Sequence, residues 1–195
     1  MICDVAIDEF AEYSYEQASI NRIVANAGIA KGSFYQYFDD KEDLFLYIMS
    51  IIAEEKIESL SPIIHNPEEN DLFCVIREMF LSGVRFAKEH PRYAAIGNRL
   101  LADKQAPIYR ELQSESRPAS LALFEPLLKK AIERGEVRDD IDINMLNYII
   151  SSMNVSIVEY FSDKDPEALY DTVVDSVDGF VDILRKGIGA QRMAS

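Results

Sequence analysis

The stretch that most constrains this chain runs from Ser19 to Lys41, SINRIVANAGIAKGSFYQYFDDK. Ile20, Ile23, Val24 and Ala27 recur at helical spacing behind Ser19, whose hydroxyl is expected to cap the first turn. Gly28 stands where that helix must stop and turn sharply, a position suited to a residue that tolerates positive φ. Ile29 then fills the angle, and Ala30 to Phe38 is expected to form a second short helix. Two short helices meeting at a tight turn, followed at once by the capped start of a third, are the layout of a helix-turn-helix. Its second helix lies in the DNA major groove.

The residue types suit that task. Gly32 presents no side chain, so a helix entered at Ala30 can approach a groove closely. Ser33, Gln36 and Tyr37 offer hydroxyl or amide groups to base edges, and glutamine can pair bidentately with adenine. Tyr35 and Tyr37 can donate to phosphates, while Phe34 and Phe38 read as the packing face. Lys31 and Lys41 are candidate phosphate contacts, the latter beside the exposed N–H groups of a helix start. The plainer alternative is that Ser19 is only a cap and both lysines are solvated.

Ser19-Ile20, Ile23-Val24, Ala27-Gly28-Ile29, Lys31-Gly32-Ser33-Phe34-Tyr35, Tyr37-Phe38 and Lys41-Glu42-Asp43-Leu44 closely resemble the TetR/AcrR transcriptional regulators. The match extends upstream through Ile2, Asp4, Ala6, Phe10, Ala11 and Tyr15, and beyond Leu44 it is architectural only. The resemblance implies an all-α chain of about nine helices. It places a helix-turn-helix domain over 1–45 and a larger helical ligand-binding and dimerisation domain over 46–195. It further implies a homodimeric, ligand-responsive repressor, released from a palindromic double-stranded operator by a largely apolar small molecule, with no cofactor. In the family the Ser19 position often touches phosphate. Arg22 stands where an acid commonly completes a capping box with that position, so the box is lost and Arg22 becomes a further candidate for phosphate. Family members also carry a short basic arm before the first helix, absent from this chain, and usually Gly where Ser14 stands.

Charge opposes this reading. The formal net charge is −14, the wrong sign for a polyanionic partner. Through Ile48, Arg22, Lys31 and Lys41 face five Asp and four Glu residues. The three bases lie in or beside the motif, however, while Asp4, Asp8, Glu9 and Glu12 are expected on the outer face of the first helix, Met1 to Tyr13. Salt screens remote charge over about 10 Å, so placement outweighs the total. No apolar run approaches the ~20 residues of a membrane span, no secretory leader is visible, and Cys3 and Cys74 have no metal-ligand spacing, so a cytoplasmic protein is expected. His65 and His90 are the only histidines, with no nucleophile spacing, zinc pattern or phosphate-cradling loop, which argues against an enzyme.

The remainder reads as helical throughout. Asp40, with Asp43 at the third position, is expected to cap a helix over 41–60, broken by Ser61-Pro62 and His65-Asn66-Pro67. Further helices are expected over 71–89, 92–102, 106–134, 144–161 and 166–186, with Pro118 or Pro126 kinking the long one, Gly135 closing it and Asp142 capping its successor. Met79, Phe86, Tyr93, Asn98, Tyr109, Phe124, Tyr148 and Met153 are candidate ligand residues, with Arg99, His90 and Asn154 as further polar groups. Leu146, Ile149, Ile150, Met153, Ile157 and Phe161, then Leu169, Val173, Val177, Phe180 and Leu184, give the last two helices apolar faces expected to meet a second copy. The alternative function is a helical binding or scaffold protein with a degenerate DNA-reading head.

Overall fold

Apolar residues at three- and four-residue spacing dominate nearly every segment, and in the computed structural model the chain forms helices accordingly. The structure describes residues 2–64, 70–162 and 166–189. The helices are α1 (Ile2–Glu12), α2 (Ile20–Asn26), α3 (Lys31–Phe34), α4 (Lys41–Ile64), α5 (Leu72–Glu89), α6 (Pro91–Ala102), α7 (Pro107–Glu133), α8 (Ile143–Ser162) and α9 (Pro166–Ile188). Among the described residues the one β-type contact is an isolated bridge between Val137 and Gly189.

The local stops and starts follow turn chemistry. Gly28 takes φ +67°, with its N–H bonded to Ala25 O and the Ile29 N–H to Val24 O, the paired 5→2 and 6→1 bonds that end a helix on a left-handed residue. Gly135 repeats the motif at φ +66° after α7. Asp71 and Asp142 cap α5 and α8 by accepting from the N–H groups of Cys74 and Met145. At the start of α4, Asp40 accepts from the Asp43 N–H at 2.9 Å, while the Asp43 carboxylate reaches back past Asp40 to the Asp39 N–H at 3.0 Å.

Three expectations need correction here. Pro62 does not break α4, which continues to Ile64; a proline two residues from a helix end removes a single donor. His65-Asn66-Pro67 lies outside the described residues, as do Asp163 to Asp165. The second helix of the motif is shorter than Ala30–Phe38: regular α geometry ends at Phe34, and the bonds Gln36 N–H to Ser33 O and Tyr37 N–H to Phe34 O tighten the chain into 3₁₀-type turns. Glu9 does not face outward with the other acids of α1 but is 5% exposed. It follows Ala6 by three residues and precedes Phe10, which places it on the buried stripe.

Packing sorts the chain into two units, Met1–Glu58 with Phe86–Ser114, and Ser59–Arg85 with Glu115–Ser195. The expected boundary after residue 45 follows the motif, whereas the first unit also takes in α6. Its core joins Ala6, Phe10, Ile23, Phe34, Leu44, Phe45 and Ile48 to Phe86 and Ile96. Polar contacts reinforce that grouping: Arg92 pairs with Asp4 and Asp8 at 3.0 and 2.8 Å, and Arg99 donates to Ala11 O at 2.8 Å. The second unit is built on Phe73, Ile76, Phe80, Leu128, Leu146, Ile150, Val173 and Val177. Phe180 packs edge-on against Phe80, and the half-buried Arg77 forms an ion pair with the exposed Asp178 that holds the Asp178 carboxyl below its ordinary range.

Candidate DNA interface

The reading head is assembled from the inside outward. Phe34 has no exposed surface, and its ring contacts Phe38 and Tyr35 at 5.7 and 5.1 Å. Anchoring the helix by Phe34 turns the neighbouring positions to solvent. Ala30, Lys31, Gly32, Tyr35, Gln36 and Tyr37 are exposed, Tyr37 at 78%, and Ser33 is half-buried. An exposed tyrosine pair beside a glutamine is an uncommon surface for a helix with nothing to bind, because it leaves aromatic area in water. A Cβ built on Gly32 meets nothing within 4 Å, so no protein packing explains the glycine there.

Ser19 occupies the N-cap position of α2, with extended φ −129° and ψ 119°, yet its hydroxyl makes no cap hydrogen bond. That corrects the expected role. Its own N–H donates at 2.8 Å to Oε1 of Glu9, so a carboxylate from α1 supplies the acceptor that a capping box would place three residues into α2. Arg22 holds that third position and completes the arrangement. Its Nε donates to both Glu9 oxygens at 2.9 and 3.2 Å, and its Nη2 donates to Oε1 at 2.6 Å and to Gln17 O at 2.7 Å. The guanidinium lies 4.2 Å from the Tyr13 ring centroid, and the hydrogen bond to Glu9 raises its pKa further. A carboxylate so buried needs a paired cation, and Arg22 is that cation.

Lys41 is also turned inward. Its ammonium donates to Tyr15 O at 2.6 Å, Ala18 O at 3.2 Å and Glu16 O at 3.3 Å, and sits 4.5 Å from the Tyr15 ring centroid. Burial, with the nearby acids Glu42, Asp40 and Glu16, pushes the Tyr15 hydroxyl up to about 12, so that ring stays neutral. Tyr15 in turn packs 5.0 Å from Phe45. Of the three bases in the motif, Lys31 stands exposed with no ion pair among the described residues.

Residues 2–48 match the family model described as "Bacterial regulatory proteins, tetR family". A relative from Corynebacterium diphtheriae, "HTH-type transcriptional repressor AcnR", is 30% identical over 149 residues, covering 74% of this chain and 70% of its own. The chain belongs to the TetR family of transcriptional regulators. A solved TetR family transcriptional regulator from Chloroflexus aurantiacus is 28% identical with a TM-score of 0.67, covering 97% of this chain and 92% of its own. The transcriptional regulator FadR from Bacillus subtilis, solved in complex with stearoyl-CoA, shares the fold at 20% identity, with a TM-score of 0.70 over 90% of this chain and 95% of its own. A TetR regulator is a non-enzymatic DNA-binding protein, and these relatives do not favour the scaffold alternative.

The residues expected to meet a ligand divide between the two cores. Phe86 is buried in the first unit, where Tyr93 and Tyr109 are half-buried against the same cluster. Tyr93 donates to Glu55 at 3.1 Å, and the His90 ring stacks on it at 5.2 Å. Met79 and Phe124 are buried in the second unit with Met153 partly so. Asn98 is exposed on α6 and Tyr148 is 53% exposed on α8. The side chains of Asn154, Ile157, Phe161 and Leu169 lie outside the description. No group of three or more His, Cys, Asp or Glu able to hold a metal occurs among the described residues, and no helix there is long and apolar enough to cross a membrane.

Glu9, Tyr13 and Tyr15 are head residues to which the sequence reading gives no site role: Glu9 is expected there on the outer face, and Tyr15 enters only through the family resemblance. A strict helical count from Ala6 would have found Glu9. Nothing in the spacing marks the two tyrosines, because they act through a loop fold that periodicity does not describe.

Proposed function

We propose that this TetR regulator is a repressor that binds a palindromic operator as a homodimer and leaves it when a largely apolar small molecule binds its helical region. The observation that carries the DNA-binding part is the exposed surface Lys31, Gly32, Tyr35, Gln36 and Tyr37 on an anchored short helix. Gln36 is suited to a base edge, and the tyrosines and Lys31 to the flanking backbone. Ala30 is exposed at the N-cap of α3, and Ser19 is half-buried at the N-cap of α2. On α8, Met145, Tyr148 and Ile149 are exposed at 62%, 53% and 37%, a helical-spaced apolar strip that supports pairing of two copies. Tyr148 fits this strip better than a ligand pocket. Two heads related by a two-fold axis suit a two-fold operator, and the cytoplasm is where such a partner resides.

The relative named as a repressor supports repression, and the FadR structure with stearoyl-CoA supports a small-molecule ligand, with a long acyl thioester as the first probe to try. A ligand releases DNA only to the extent that it binds the released state more tightly; tenfold weaker operator binding requires about 1.4 kcal/mol of such preference. The test is fluorescence anisotropy with DNA from the region preceding the gene, against random competitor, with and without stearoyl-CoA. Binding that exceeds the competitor and falls on adding ligand is expected. No preference over competitor at any salt would return the scaffold reading. Preference that no acyl thioester alters would retain DNA binding and reject this ligand class. Gln36→Ala should relax preference at one base position, by about 1–3 kcal/mol of discrimination; uniform weakening at all positions would count against base readout.

A further inference from the structure

Met79, Phe80, Leu81 and Ser82 are all buried, and four successive helical residues span about 300° of the circumference, so α5 runs through the interior of the second unit at this level. Ser82 is the polar member of that run. It is 5% exposed, and its hydroxyl makes no hydrogen bond among the described residues, unlike Ser50 and Ser152, which bond back to carbonyls of their own helices. Every sealed polar side-chain atom among the described residues has a partner, so the Ser82 oxygen is not sealed and borders open space. Gly83 gives a second sign of room. It is half-buried inside α5, its φ is not left-handed, and a built Cβ meets nothing within 4 Å among the described residues. An unpaired buried hydroxyl and a glycine inside a helix each cost stability. Val75 and Met79, both buried, lie on the same helical face by three- and four-residue spacing, so apolar side chains flank the hydroxyl.

We propose that Ser82 and Gly83 belong to the ligand site: the Ser82 hydroxyl donates to one neutral carbonyl oxygen of an apolar molecule, and the room beside Gly83 takes part of its chain. The assignment rests on the ligand-release reading and names the chemistry of that ligand. A hydroxyl offers one donated hydrogen bond and no charge, which matches a neutral oxygen; a carboxylate taken into apolar surroundings calls for a cation as well. Thioesters, esters and ketones all carry such an oxygen. Binding of any of them removes the cost of the unpaired hydroxyl, which is where affinity for the carbonyl comes from.

Binding to the whole chain without DNA, measured by titration calorimetry, tests this. The probes are stearoyl-CoA, its thioether counterpart S-octadecyl-CoA, which lacks the carbonyl, and the shorter pair 2-decanone and decanoate. Stearoyl-CoA should bind about tenfold more tightly than the thioether, and Ser82→Ala should abolish that difference. The same difference in wild type and variant overturns the assignment. If 2-decanone binds and stearoyl-CoA does not, the carbonyl belongs to a free ketone or ester, and Ser82→Ala should then weaken 2-decanone about tenfold; no weakening overturns the site. Decanoate binding more tightly than 2-decanone rejects a neutral group, and no binding of either carbonyl probe rejects the site itself. Gly83→Leu should weaken the carbonyl probe at least about tenfold by filling the room, and unchanged affinity counts against it. Should that variant not fold, Ser82→Ala still decides. Without ligand, Ser82→Ala should melt no lower than wild type; a fall of about 4 °C or more would mark a structural hydroxyl and overturn the proposal. Operator preference is read separately by anisotropy, so its loss and the loss of this site are told apart.

Discussion

Gly32→Ala separates a glycine kept for a partner from one kept for the fold. Gly32 lies inside α3, is exposed, has a φ outside the left-handed range, and a built Cβ finds open space. On the protein alone, alanine should therefore be favourable, by about 0.5–1 kcal/mol from helix propensity and unfolded-chain entropy. For a chain of this length that is a rise in melting temperature of roughly 2 °C. On DNA the sign reverses. A methyl pressed into a close helix–groove contact costs about 1–3 kcal/mol per head, at least about fivefold for one and about thirtyfold for two. Gly28→Ala is the control: it also meets open space, but at φ +67° an alanine costs about 1–2 kcal/mol, so stability should fall. Thermal unfolding and operator anisotropy on the same preparations read both quantities. A Gly32→Ala variant that binds operator as well as wild type would refute the assignment of this face to DNA.

Asp71→Asn tests a charge interaction while keeping the cap, since Asn also caps helices well. Burial pushes the Asp71 carboxyl up, but the Cys74 N–H and Arg185 outweigh it and hold it below the ordinary range. A carboxyl depressed in the folded state stabilises above its unfolded value and loses that contribution as pH falls through the folded one. The variant should thus be less stable at pH 7 by about 0.2–1 kcal/mol, with the gap closing as pH falls through and below the ordinary aspartate range; a gap that persists in acid would contradict the ion-pair origin. Ile149→Glu, within the exposed strip on α8, should convert dimer to monomer in sedimentation velocity with helix content preserved, and an intact dimer would move the interface elsewhere. Gly189→Ala should lower stability, because its Cβ would collide with the backbone oxygen of Arg185; an unchanged melt would show that the backbone gives way there.

Much of the fold was legible because the features that set it are local. Gly28 and Gly135 stop helices by left-handed geometry, Asp40, Asp71 and Asp142 start them by accepting N–H bonds, and apolar spacing marks the segments between. What was not legible depended on distant residues. Assigning α6 to the head's core required knowing that Arg92 would find Asp4 and Asp8. The apolar faces of the last helices were visible, but not which residues each core would take: Leu146, Ile150, Val173 and Val177 are buried in their own unit, and Met145 and Tyr148 are left exposed.

The cations of the head show the limit most clearly, since residue type and position alone permit opposite roles. A lysine at a helix start beside a reading head suits phosphate by its charge. It equally suits a loop whose carbonyls lack partners, and the structure supplies three such carbonyls. Arg22 is paired with Glu9 and Lys41 with the loop, while Lys31 stands exposed with no ion pair among the described residues, on a chain of net charge −14. On the proposed DNA-binding reading, a motif with so few bases leaves counterion release a small share, and recognition would rest on neutral donors on Gln36, Tyr35 and Tyr37, close approach at Gly32, and the doubling of contacts by a second head. Neutral contacts lose affinity slowly as salt rises, while sequence-independent binding depends on charge. Such a head should discriminate operator from bulk DNA mainly through weak attraction to the bulk.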